Sequence, residues 1–228
     1  MITPVSPYVK GTGVQYGIRS RDYLVRALAR LSSGSDEALF YAAFELRCGI
    51  EARIQEYLEG SKVATKKIKQ GWSIAQLSKA GEKAYLNGPR IQRLAQERAG
   101  SVSAVLYYTP IGEALSLNGK KLGNYLHALQ TSPNQTDGWW DAFRALLSDT
   151  ADGLVVANTG TLLGPALLKP GTKEVSVCVE MPGSASCGDL MSAMGNEGDE
   201  VVMSVSYLDS LPHPIEPEAH VWSVEGKN

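Results

Sequence analysis

The chain has 228 residues, of which 43% are apolar and 20% charged, with 23 glycines, 11 prolines and a formal net charge of −2. That is enough chain to bury a core without metal or disulfide staples, and the composition excludes collagen-like, mucin-like and intrinsically disordered classes. No apolar run reaches the ~18 residues of a membrane span, so no membrane partner is expected. The opening segment Met1-Ile2-Thr3-Pro4-Val5-Ser6-Pro7 lacks the basic region and apolar stretch of a signal peptide. Three cysteines (Cys48, Cys178, Cys187) cannot all pair, and none has a Cys-x-x-Cys spacing. A reduced, cytoplasmic protein is expected.

The small net charge hides a division along the chain. Residues 61–100 carry nine Lys/Arg and two Asp/Glu, and residues 171–228 carry two and ten. The basic block suits an anionic partner such as RNA, and the acidic block suits a basic surface on another protein. The alternative is that both are solvated faces, or that they neutralise one another.

In chain order, residues 1–19 read as an extended arm. Residues 21–31 place Leu24, Leu28 and Leu31 at helical spacing, and Ser32-Ser33-Gly34-Ser35 breaks it. Ser35 then has the character of an N-cap, with Asp36 and Glu37 in the first turn, where the helix dipole favours acids. Leu39, Ala43, Leu46, Ile50, Ile54 and Tyr57 continue as one apolar stripe up to Gly60. Phe40 and Phe44 widen the stripe, and the same flank continues into Arg47 and Glu51. Further helices are predicted over 62–80 and, from Pro89 to Ala99, with Ile91, Leu94 and Ala95 inward. Residues 102–108 read as a strand. Asn118-Gly119 opens another helix with Leu122, Tyr125, Leu126 and Leu129 on one face, and a helix bearing Trp139, Trp140, Phe143, Leu146 and Leu147 follows a polar loop. Residues 153–168 are apolar and match no single period. After Pro170-Gly171 the period becomes two, with alternation at Val175, Val177 and Val179, again over 201–207, and a short last strand at 220–224. The architecture predicted is α+β: a helical bundle over 20–168 with one strand near 102–108, then a small antiparallel sheet in an acidic region, 169–228.

Three histidines limit the chemistry. No pair has metal-ligand spacing, no Walker loop or nucleophile elbow is present, and neither metal nor cofactor is expected. Arg47 and Glu51 are four apart, so they can touch at the edge of a buried stripe; they form either a structural ion pair or the polar centre of a small-molecule enzyme. Lys62, Lys66 and Lys69 form a basic stripe, continued by Arg90 and Arg93, that can track a phosphate backbone. Trp139 and Trp140 can stack bases or simply fill an amphipathic helix.

The run Ala42-Ala43-Phe44-Glu45-Leu46-Arg47-Cys48-Gly49-Ile50-Glu51, followed by a basic segment and then Asn124-Tyr125-Leu126-His127, resembles the HEPN-like helical domains of bacterial toxin–antitoxin, abortive-infection and RNA-processing systems. Many of these are dimeric, metal-independent ribonucleases with an arginine, a short spacer and a histidine. The matching residues here are Lys121, five intervening residues, and His127, with Asn124 between them. Lysine stands for arginine, and Asn124 is not at the family's usual polar position. The resemblance therefore implies a bacterial or phage binding protein that contacts RNA or a protein partner and self-associates. A ribonuclease using His127 as general acid or base and Lys121 as charge stabiliser is the alternative.

Overall fold

The computed structural model describes residues 16–60, 74, 90–98, 101–127, 129, 138–168, 171, 175–180 and 201–212. The helix expected over 62–80 and the strand at 220–224 fall outside this set, apart from Ile74. The fold is α+β. Among the described residues four helices, α1 (Ser20–Ser33), α2 (Asp36–Gly60), α3 (Glu113–Tyr125) and α4 (Trp139–Thr159), pack together, and strands β1 (Ile91–Arg98), β2 (Ser101–Tyr108), β3 (Leu167–Leu168), β4 (Val175–Ser176) and β5 (Val201–Leu208) form two small antiparallel sheets.

The first two helices follow the sequence closely. Asp22 accepts a hydrogen bond from the Arg19 amide at 2.9 Å at the start of α1. Gly34 closes the helix in the left-handed region at φ 72°, a conformation that a side chain disfavours. The Ser35 hydroxyl then accepts from the Ala38 amide at 3.3 Å, as an N-cap should. The two helices run antiparallel, tied by Ser20 to the Gly49 carbonyl and by Arg26 to Glu45. Within α1 Leu24 and Ala27 are buried and Leu31 packs against the core, as the leucine spacing predicts, whereas Leu28 is 39% exposed.

Leu46, Ile50 and Leu58 of α2, Leu122 of α3 and Phe143, Leu147 and Leu154 of α4 are fully buried and form the bundle core. Each such side chain contributes about 1.5–3 kcal/mol on leaving water. α3 opens five residues earlier than Asn118, and Gly119 is an interior contact rather than a start signal. α4 absorbs the untyped stretch as far as Thr159.

The segment expected as a helix from Pro89 to Ala99 is instead strand β1, in the middle of a sheet ordered β2-β1-β5. Gln92, Leu94, Ala95, Gln96 and Glu97 favour helix locally, but pairing on both edges overrides that preference. Leu94 lies opposite Leu106 on one side and Val205 on the other. Leu94, Leu106 and Tyr108 meet Tyr57, Leu162 and Ala166 in a second, smaller core. Buried Gln92 is satisfied there by the backbone of Ala166, which receives a hydrogen bond from its amide and donates one to its carbonyl. The alternation around Val175 yields the short β3–β4 pair and a bridge from Leu162 to Val179.

Candidate functional site

The end of α3 carries a group of exposed polar residues. Leu115, Leu122 and Gly123 face inward, which turns Lys120, Lys121 and Asn124 outward, and His127, just past the helix end, is also exposed. Lys121 and Asn124 are three apart on the helix and so are neighbours on its surface, and His127 follows two residues past its end. Exposure places the imidazole where a ligand can reach it, unlike a packed core histidine.

Arg47 of α2 lies against α3 at Gly123. Gly119 and Gly123 let α2 and its surroundings approach α3 closely. A Cβ on Gly119 would lie 2.7 Å from Ile74 Cδ1 and 3.0 Å from Ile50 Cδ1, and one on Gly123 would lie 2.7 Å from Arg47 Nη1. The guanidinium therefore occupies the place of a missing side chain, with Lys120 one turn before and His127 one turn after. Arg47 Nε donates to Glu51 Oε1 at 3.2 Å, and the two side chains are 33% and 27% exposed. Beside them, burial first and then Glu51 and Glu45 push the Cys48 thiol up to about 11, so it is a poor nucleophile at neutral pH.

Aromatic rings back the same end of the bundle. Tyr125 stacks on Phe143 at 4.4 Å and 13°, and Trp139 meets Tyr125 edge-on at 5.4 Å. Trp139 and Trp140 are half-buried, and both pack on the core. Phe40 packs among them, whereas Phe44 is 50% exposed.

The basic stripe is differently placed. Lys62, Lys66 and Lys69 lie outside the described residues. Arg90 and Arg93 stand on the sheet rather than on a helix. Arg90 precedes β1 with its guanidinium 5.2 Å from the Tyr207 ring centre, and Arg93 is half-buried in the strand.

A second polar centre escaped the sequence reading. Arg53, fully buried, donates from Nη1 to Glu56 at 2.9 Å and to Glu180 at 2.8 Å, and from Nε to the Ala157 carbonyl at 3.0 Å; Nη2 reaches the Gly160 carbonyl. Burial alone works against this charge. Tyr57, Glu180 and Glu56 outweigh that effect, and the arginine's pKa lies above its ordinary range. Arg21 adds a hydrogen bond to the Asn158 carbonyl at 3.0 Å, and the Thr109 hydroxyl one to Ala157 at 2.9 Å. The carbonyls left over at the end of α4 are thus met by cations and hydroxyls, which the helix dipole favours. A signal existed: Arg53 sits between Ile50 and Tyr57 on the buried stripe, where a charge requires partners.

Outside this cluster opens a groove of about 650 Å³ lined by Ile18, Ala52, Glu56, Cys178 and Glu180. Its two inner carboxylates are engaged by Arg53. Among the described residues no group of three or more His, Cys, Asp or Glu is placed to hold a metal ion, and no helix is long and apolar enough to cross a membrane. Compared with protein-family models, curated proteins and solved structures, the chain matches none.

Proposed function

We propose that this chain is a binding protein whose α3 end receives an RNA strand. One observation carries the reading: Lys120, Lys121, Asn124 and His127 are all exposed at the end of α3, with Arg47 laid over Gly123. Cations in a row attract a phosphate backbone, and half-buried tryptophans beside them suit base stacking. Within the HEPN-like resemblance, lysine in place of arginine favours binding over cleavage.

Fluorescence anisotropy with a labelled oligouridylate in EDTA tests this. Binding that weakens steeply with salt, and weakens further in Lys121→Glu, is the expected result. Cleavage that disappears in His127→Ala would replace the binding reading with a metal-independent ribonuclease.

A protein contact through the C-terminal region is the second reading, favoured by β5. This strand carries no charged residue, borders the sheet among the described residues, and leaves Val202, Val205 and Tyr207 43–54% exposed. Such an edge accepts a strand from a partner or from a second copy.

A further inference from the structure

We propose that Arg47 is a phosphate-gripping residue of the α3 face, admitted by Gly123 and held ready by Glu51; this inference rests on the reading of that face as RNA-binding. Arg47 belongs to α2, and its sequence position gives no hint of its place against α3. The guanidinium lies there because residue 123 has no side chain: Nη1 would lie 2.7 Å from a Cβ on Gly123. Among the described residues, only Nε is engaged, by Glu51 at 3.2 Å. The pair is partly exposed, at 33% and 27%, so the carboxylate is a weak, solvent-screened partner that a phosphodiester can displace. An arginine fork matches two phosphate oxygens at once, which the neighbouring lysines cannot do. Lys120 and Lys121 then supply attraction at longer range, and Arg47 fixes the register of one phosphate.

A purely structural Arg47–Glu51 pair and a phosphate grip predict opposite outcomes. If Arg47 grips phosphate, Arg47→Gln weakens oligouridylate binding and lowers the salt slope by about 0.7, the value of one phosphate contact on a single strand. Glu51→Gln, which frees the guanidinium, tightens binding. Gly123→Ala meets only the far end of a flexible side chain, so it is expected to keep the wild-type Tm while weakening RNA binding about as much as Arg47→Gln. Arg47→Lys restores the charge but not the fork, and recovers only part of the affinity. Anisotropy across a salt series, with Tm measured in parallel, reads all four variants. Wild-type protein that fails to bind the oligonucleotide at low salt overturns both the RNA reading and this inference. Wild-type binding that depends on Lys121, with an unchanged salt slope in Arg47→Gln or with Glu51→Gln and Arg47→Gln shifting affinity in the same direction, overturns this inference alone.

Discussion

Arg53 and Glu180 lie 127 positions apart in sequence and meet at 2.8 Å, with the arginine fully buried. The contact ties the second half of α2 to the segment after β4, and the same guanidinium holds carbonyls beyond and within the last turn of α4. Arg53→Ala takes one donor from each of two carboxylates and two carbonyls, and removes the only fully buried cation between Glu56 and Glu180 among the described residues. Removing one partner of a buried pair costs about 3–5 kcal/mol. Urea unfolding is expected to show a loss of that size, and a loss below about 1 kcal/mol would contradict the central place given to this residue.

Gly160 should tolerate no side chain. A Cβ there would lie 2.5 Å from the Thr109 hydroxyl, 2.7 Å from the Tyr107 carbonyl and 2.9 Å from the Thr109 amide. Two of these are backbone atoms at the end of β2 and just beyond it, which cannot step aside as Arg47 can from Gly123. Gly160→Ala is expected to cost about 1–3 kcal/mol through overpacking, and thermal melting of the two alanine variants side by side measures the contrast.

The Cys48 thiol, pushed up from 9.0 to about 11, gives a pH prediction. The folded state holds this proton more tightly than the unfolded chain does. Its stabilising contribution is therefore complete below about pH 9 and is lost as pH rises towards 11. The same shift governs reactivity, because the thiolate is the nucleophile. Alkylation of Cys48 by iodoacetamide, followed by mass spectrometry, should accelerate about tenfold per pH unit up to an inflection near 11. In Glu51→Gln, which removes one of the groups raising the pKa, the inflection should move down.

The uncharged β5 edge predicts concentration-dependent association. Placing lysines on it, as Val202→Lys together with Val205→Lys, is expected to reduce self-association, because a charged edge resists pairing. Light scattering over a concentration series checks this. Equal association in the two proteins would remove β5 as the contact.

Much of the bundle was legible in the sequence because its signals are local. Ser35, the two acids after it and the stripe from Leu39 to Tyr57 define α2 without reference to the rest of the chain. β1 was not legible. Its residues favour helix, and only Val205 and Leu106, distant and near in sequence, make it a strand. Asn118-Gly119 misled for a related reason, since a glycine chosen for close approach between helices looks like a boundary when the neighbour is unseen. At the candidate site, the spacing of Lys121, Asn124 and His127 was readable and their exposure was not. Arg47 and Glu51 were readable as a pair, but their place beside the α3 residues depends on a notch at Gly123 that only packing reveals.

The reach of Arg53 also bears on the order of biosynthesis. The ribosome delivers Arg53 and β1 long before Glu180 and β5. A nascent chain that stops short of residue 180 carries a desolvated cation lacking one of its two anions, and a sheet with β1 open along one side. Such an intermediate invites chaperone capture, and truncations before residue 180 are expected to be cleared by proteases rather than to accumulate as a folded helical fragment.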